Sequence, residues 1–286
     1  MKKKDLLLLN KLFTKNFFKN ILIDKSQNEF YQIAKKFVDI SKRANNLVIL
    51  KEIYKIMSKS YRNEYFYQNT LFLKLLLGKH SLNTTIALKQ VPIEKSIADF
   101  ILINGKAIVY EIKTELDNFN RLQDQLDDYY KGFVNVCVVT NVKNFDKLLL
   151  KLENTPTGIM VLTDRNTLSR KKASIDDYSC LNYESIFKIL RKNEVDRILL
   201  KHFKELPKVT QVFYYSECLK MFKRIPISKA YELAILELKK RVTVNIEEFK
   251  KIPSELKSIA YFSKYSLKEY RKFNEFLGEE NVFSVS

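Results

Sequence analysis

Three charged residues stand in two short apolar runs near the middle of the chain. Asp99 lies within SIADFILI, and Glu111 and Lys113 lie within the following run, AIVYEIKT. Runs rich in β-branched and aromatic residues predict strands, and Asn104-Gly105 between them is typical of a hairpin turn. Side chains two positions apart in a strand point to the same face, so Glu111 and Lys113 are expected side by side.

The length of the hairpin loop decides whether Asp99 joins this pair. A two-residue loop would pair Asp99 with Tyr110 and turn its carboxylate away from Glu111. A three-residue loop ending at Lys106, with Gly105 in the left-handed conformation, pairs Asp99 with Glu111 instead. We predict the three-residue loop, or a bulge nearby, because it brings all three charges together.

Burying three charged groups in an apolar sheet is unfavourable by several kcal/mol unless they are paired or bind a metal. Two carboxylates on neighbouring strands form an oxygen-rich site suited to Mg²⁺, with Mn²⁺ as an alternative. Such a metal acidifies a water and polarises a phosphodiester, while Lys113 would orient the attacking water. The pattern therefore indicates phosphodiester hydrolysis. A buried Lys–Glu ion pair beside a solvated aspartate is the structural alternative, which the trio alone leaves open.

Four residues outside the trio could contribute to the same site. Gln125 and Tyr129 are spaced i, i+4 on a predicted helix and share a face, with Arg121 one turn earlier as a candidate nucleic-acid contact. Glu64, near the start of an upstream helix, could supply another carboxylate. Each also has a purely structural explanation, as helix surface or core, or as a first-turn acid favoured by the helix dipole.

Together these residues resemble the pattern of the PD-(D/E)XK nuclease superfamily, whose fold is restriction-endonuclease-like. The resemblance covers roughly residues 61–165 and follows the order of an acidic leading helix, a strand aspartate, an ExK strand and a QxxxY helix. It implies that Asp99 and Glu111, with Glu64, bind Mg²⁺ and that Lys113 serves the water. The QxxxY match implies that Gln125 and Tyr129 assist placement of DNA or of the active site.

The segment SIADFILINGKAIVYEIKTELDNFNRLQDQLDDYYKGFVNVCVVT is also similar to a bacterial subgroup of this superfamily. Ala98 stands where a proline often precedes the aspartate, which is a departure from the pattern. The flanking residues 1–60 and 171–286 lie outside the resemblance.

The periodicity of the chain predicts an α/β fold with a mixed central sheet flanked by helices. A helix opened by Asp117 or Asn118 and closed near Gly132, a strand at VNVCVVTN, a helix at FDKLLLKLENT and a strand at TGIMVLTD follow the hairpin. The expected organisation is a basic helical N-terminal extension at 1–60, a nuclease-like core at 61–170 and a mainly helical C-terminal region at 171–286.

The formal charge of +18 favours a polyanionic partner. Residues 1–60 carry 14 Lys and Arg against 5 Asp and Glu, and residues 171–286 carry 23 against 16, whereas residues 61–170 carry 14 against 12. An acidic metal site between basic flanks would show this distribution. The charge does not identify the polyanion; DNA is the partner that the resemblance implies, with RNA left open. A lysine-rich composition that only keeps a protein soluble would produce much of the same excess.

Several classes of protein and location are excluded or disfavoured. The 5 glycines are isolated, which excludes a phosphate-binding GxxxxGK loop and a GxGxxG fingerprint. With 2 histidines and 3 widely separated cysteines, a conventional zinc site is disfavoured and reduced thiols are expected. The basic start is followed by only four leucines, and no run approaches a membrane span, so we expect a cytoplasmic protein.

Three functions from different classes remain open. The first is a Mg²⁺-dependent deoxyribonuclease, in bacterial defence or a mobile element as the resemblance suggests. The second is an inactive nucleic-acid-binding or protein-interaction module on the same fold. The third is a protein whose C-terminal region binds RNA or an acidic partner, for which Tyr214, Tyr215 and nearby basic residues are weak candidates. A homodimer or a protein partner bound through the C-terminal region is compatible with each.

Overall fold

The computed structural model describes residues 3–24, 27–39, 44–241 and 244–280. The chain forms two compact units. Met1–Gly78 together with Thr243–Ser286 form the helical unit, and Lys79–Val242 form the sheet unit. These units do not coincide with the regions 1–60, 61–170 and 171–286 expected from sequence, because packing joins helices from the two ends of the chain.

A six-stranded mixed sheet dominates the sheet unit, and its strands lie side by side in sequence order. The first three strands are antiparallel, the third to fifth are parallel, and the last returns antiparallel. The strands are β1 (Ile86–Ile93), β2 (Ser96–Asn104), β3 (Lys106–Ile112), β4 (Val136–Asn141), β5 (Gly158–Leu162) and β6 (Leu168–Lys172). The mixed α/β fold and strands β2 to β5 were predicted from sequence, whereas the two edge strands β1 and β6 were not.

Six helices accompany the sheet in the part of this unit that the structure describes, and the first two fill the parallel crossovers. They are α6 (Leu122–Gly132), α7 (Phe145–Leu152), α8 (Tyr183–Ile189), α9 (Lys192–Phe203), α10 (Gln211–Lys223) and α11 (Ile227–Lys239). Helix α6 lies against the sheet, where Leu122 and Leu126 join Ile101, Ile103 and Val109 in one buried apolar core. Burial of such side chains contributes roughly 1.5–3 kcal/mol each, so this core holds α6 firmly on the sheet.

The helical unit combines the two ends of the chain. Its elements are α1 (Lys3–Leu12), α2 (Lys15–Asp24), α3 (Asn28–Ala34), α4 (Asn46–Ser60), α5 (Glu64–Leu71), a π-helical turn (Phe72–Leu77), α12 (Ile246–Lys251), a 3-10 turn (Ser254–Leu256), α13 (Lys257–Ser263) and α14 (Leu267–Gly278). Asn69 on α5 connects the two ends of the chain. Its Nδ2 donates to the Ser254 carbonyl at 2.9 Å, and its Oδ1 accepts from the Ser258 amide at 3.0 Å.

Two helix predictions need correction. Apolar residues recur every three or four positions over residues 28–59, which predicts helix across this stretch. The structure divides it into α3 and α4, with Asn45 capping α4 by accepting from the Val48 amide at 3.0 Å; residues 40–43 lie outside the described residues. Helix α6 begins at Leu122, not at Asp117 or Asn118. Within the described ranges, no helix is long and apolar enough to cross a membrane.

The β2–β3 hairpin has the register that the sequence predicted. Asn104 pairs with Lys106 across Gly105, and the same register continues to Phe100 paired with Tyr110. Gly105 has a φ of 71°, the left-handed conformation expected at this position of the loop. The register therefore directs Asp99 towards Glu111, as the three-residue loop requires.

Replacing Gly105 with alanine is expected to lower the free energy of unfolding of the sheet unit by about 1–2 kcal/mol, the usual cost of a left-handed L-residue. No atom lies within 4 Å of the Cβ that alanine would add, so the effect would come from backbone strain and not from crowding. Gly105→Asn should lower the free energy of unfolding by less than Gly105→Ala does, since asparagine tolerates this conformation. Denaturant unfolding of the three proteins measures the difference, and equal stability of wild type and Gly105→Ala would contradict the strained loop.

Candidate active site

Glu111 is the centre of a buried hydrogen-bond cluster. Its Oε1 accepts from Lys113 Nζ at 2.7 Å and from Gln125 Nε2 at 2.7 Å. Its Oε2 accepts from the Tyr129 hydroxyl at 2.6 Å. The Glu111 side chain is only 2% exposed and that of Lys113 only 10%. A carboxylate so far from water needs these donors, since an unpaired buried charge would be strongly unfavourable.

Strand β3 and helix α6 together position this cluster. Glu111 on β3 and Lys113, which directly follows this strand, project to the same face, as their spacing predicted. Gln125 and Tyr129 lie one turn apart on the face of α6 that packs on the sheet, and Gln125 Oε1 accepts a further bond from Lys113 Nζ at 2.7 Å. Because Gln125 both donates to Glu111 and accepts from Lys113, it ties the two charged groups to the helix.

Asp99 reaches the neighbouring strand through its side chain. The ladder between β2 and β3 ends at Phe100 and Tyr110, and beyond it the Asp99 carboxylate accepts from the Ile112 amide at 2.8 Å through Oδ2. The side-chain oxygen thus takes the place of a backbone carbonyl at the end of the ladder. Asp99 is half-buried, which fits a carboxylate at the opening of the cluster.

Tyr129 is a neutral hydrogen-bond donor in this setting. Burial raises its pKa above the ordinary value, and the negative charges of Glu111 and Asp99 raise the pKa further. Its hydroxyl also lies 2.9 Å from the Ile97 carbonyl oxygen, so one proton has two acceptors.

The end of strand β4 supports Lys113, a contribution that the sequence had not suggested. The Lys113 amide donates to the Val139 carbonyl at 2.8 Å, and Thr140 Oγ1 donates to the Lys113 carbonyl at 2.9 Å. Thr140 is fully buried. The signal in the sequence was a polar residue near the end of an apolar strand.

Two further candidates come from outside β3 and α6. Arg121 immediately precedes α6, is exposed and makes no side-chain cap. Glu64 is the first residue of α5 and belongs to the helical unit, where its Oε1 accepts from Gln68 Nε2 at 2.6 Å. Glu64 as a metal ligand and Arg121 as a nucleic-acid contact therefore stay predictions.

The oxygen donors of the cluster are compatible with a hard divalent cation. A carboxylate offers about four lone-pair positions, and the three hydrogen bonds to Glu111 use three of them. No group of three or more His, Cys, Asp or Glu side chains suited to a metal occurs in the ranges that the structure describes. Asp99 and Glu111 are thus a two-carboxylate set, a number that Mg²⁺ accepts because it retains several waters.

Fold and site together define a mixed α/β protein with a buried carboxylate–lysine pair between a sheet and its first crossover helix. The family model described as Bacteriophage P4 protein cII matches residues 57–260. This match spans more than half of the chain, and the chain therefore belongs to that family. No curated protein and no solved structure shows significant similarity to it.

Proposed function

We propose that this protein is a Mg²⁺-dependent nuclease that hydrolyses phosphodiester bonds in DNA, built on a restriction-endonuclease-like core. The observation that carries the proposal is the convergence of Asp99, Glu111 and Lys113 on adjacent strands of an otherwise apolar sheet. An antiparallel hairpin that leads through a helix into parallel strands supports the assignment of the core. All three residues, and the helix that covers them, lie within the segment matched by the family model.

Asp99 and Glu111 would hold the metal, with Mn²⁺ as an alternative to Mg²⁺. When bound, the metal would polarise the phosphodiester and acidify a water. Lys113 carries the positive charge nearest to Glu111, and its ammonium would orient the attacking water and approach the phosphate oxygens. Its position is fixed by two hydrogen bonds of 2.7 Å, to Glu111 and to Gln125, so little reorganisation is needed when substrate arrives.

Gln125 and Tyr129 would position the catalytic groups from α6. Tyr129 holds Glu111 Oε2 with a neutral hydroxyl, and Gln125 holds Oε1 and the lysine together. These bonds fix the rotamer of a carboxylate that must keep one lone pair for a metal. The cluster is therefore ordered by the helix before substrate binds.

DNA as the substrate is supported by charge and by family. The formal charge of +18 favours a phosphate-rich partner. The family takes its name from a protein of bacteriophage P4, which favours a mobile element over bacterial defence as the setting that we propose. Arg121, exposed at the start of α6, is a candidate contact to the phosphate backbone.

An inactive nucleic-acid-binding module is the second candidate. One observation favours it, because Lys113 already balances the charge of Glu111 and both carboxylate oxygens accept hydrogen bonds. A buried, satisfied ion pair of this kind can be retained for structure alone. The two candidates differ in whether DNA is cleaved or only bound.

The proposal is tested by incubating the purified full chain with end-labelled single- and double-stranded DNA, and with RNA of the same sequence. We expect DNA to be shortened in Mg²⁺ or Mn²⁺ and to stay intact in EDTA, with activity restored when metal is returned. A gel-shift assay in EDTA measures whether the protein binds the same DNA when no metal is present. DNA that is bound but never cleaved in either metal would favour the inactive module.

A further inference from the structure

A cavity lies on the reverse face of the sheet, within the sheet unit. Tyr110 directly precedes Glu111 on β3, so the two side chains point to opposite faces of the sheet. The cavity has a volume of about 450 Å³ and is lined by residues of strands β3 to β6 and of the segment that follows β6. This volume is within the roughly 300–1,000 Å³ typical of small-molecule sites.

Positive charge predominates at the cavity. Lys106, Arg170 and Lys172 line it against a single carboxylate, that of Asp176. Lys106 pairs with Asp176, and Lys172 Nζ donates to the Thr157 carbonyl at 2.7 Å. The cavity therefore has an excess of cations and is suited to an anion.

Arg170 is the cation best placed to bind that anion. Its side chain has no ion pair or hydrogen bond with any part of the chain that the structure describes. Arg170 is exposed on β6 and lines the cavity together with Cys137. An unpaired guanidinium offers a planar set of donors that matches phosphate or carboxylate oxygens.

The wall of the cavity also contains a hydrogen-bond acceptor to which no described residue donates. Asn135 is 5% exposed, and its Nδ2 donates to Asp176 at 2.6 Å. Its Oδ1 is buried and accepts no hydrogen bond from any described residue. Buried carbonyl oxygens nearly always have a partner in folded proteins, so a ligand N–H at this point would complete the set. Tyr110, Ile108 and Met160 supply apolar surface alongside.

We propose that this cavity binds a nucleoside phosphate. Its phosphate would bind Arg170, its base would lie against Tyr110 and Met160, and a base N–H would donate to Asn135 Oδ1. A free mononucleotide and the phosphorylated end of a nucleic-acid strand share this chemistry. The site is on the opposite face of the sheet from Glu111 and does not depend on the proposed nuclease function.

Isothermal titration of the full chain in EDTA tests the site with the four common nucleoside 5′-monophosphates. At least one of these monophosphates should bind. The matching nucleoside lacks the phosphate contacts and inorganic phosphate lacks the base contacts, so each should bind at least about tenfold more weakly. Arg170→Gln should weaken binding by at least about tenfold. The control is Arg165→Gln, because Arg165 is also exposed in the same unit but does not line the cavity. This variant should bind as wild type does.

Short oligonucleotides with a 5′-phosphate or a 5′-hydroxyl distinguish the two sources. Tighter binding of the phosphorylated strand than of the mononucleotide assigns the site to strand ends, and the reverse order assigns it to free nucleotides. The proposal is overturned if no monophosphate binds, if inorganic phosphate binds as tightly as the nucleotide, or if Arg170→Gln binds with unchanged affinity.

Discussion

Replacing Lys113 with methionine is expected to lower the free energy of unfolding of the sheet unit by about 3–5 kcal/mol, the usual cost of removing one partner from a buried ion pair. The substitution would leave the Glu111 carboxylate, 2% exposed, without its counter-charge. Gln125 and Tyr129 would still donate to it, but neither carries a positive charge. Methionine keeps the length of the aliphatic stem, so most of the packing is retained.

A double variant separates charge from packing. Glu111→Gln combined with Lys113→Met removes both charges, and we expect it to recover most of the lost stability. Lys229→Met is the matched control, because Lys229 pairs with Glu232 at the surface, where both side chains are more than half exposed; its effect should stay below about 1 kcal/mol. Denaturant unfolding measures the stability of each variant, and hydrogen exchange of the β3 amides shows the change within the sheet unit. A Lys113→Met protein no less stable than the control would show that the pair is not a buried charge pair.

The hairpin that carries the site could be predicted from local sequence. Gly105 between two apolar runs specified a left-handed residue in the loop, and the loop length set the register that directs Asp99 to Glu111. The spacing of Gln125 and Tyr129 placed both on one face of a helix. These features depend on residues close together in the chain, where turn geometry and periodicity act directly.

The edge strands were missed for a physical reason. Strand β1 contains Lys89, Gln90 and Pro92, and Gln90 has a φ of 53°, so the alternation typical of a strand is interrupted. Strand β6, LSRKK, is short and contains no fully buried residue. Edge strands are often polar or irregular, since this discourages pairing with other chains.

Contacts between distant segments were beyond the sequence patterns. Helix periodicity shows which face of a helix is apolar, but not which other element covers it. The joining of residues 1–78 with 243–286 in one unit depends on such long-range packing, for example that of Phe18 against Phe273. The early placement of the start of α6 has a local cause, because Asp117 accepts from the amide and hydroxyl of Thr114 in a turn before the helix.

Replacing Asp99 with asparagine is expected to abolish DNA cleavage, with a loss of at least about a hundredfold. A metal supplies several kcal/mol of transition-state stabilisation, and each 1.36 kcal/mol corresponds to about tenfold in rate. Asparagine has the same shape as aspartate, and its side-chain oxygen can still accept from the Ile112 amide, a bond of 2.8 Å in the wild type. The variant should therefore fold normally and lose only a negative charge at the metal site.

The rate of DNA cleavage by wild type and Asp99→Asn, measured side by side in Mg²⁺, tests the nuclease assignment most directly. Asp124→Asn is the control, because Asp124 is an exposed acid in the first turn of α6. We predict that wild type and Asp124→Asn cleave at similar rates and that Asp99→Asn, with unchanged circular dichroism, does not cleave. Equal cleavage by Asp99→Asn and wild type, or no metal-dependent cleavage by the wild type, would contradict a nuclease centred on Asp99, Glu111 and Lys113.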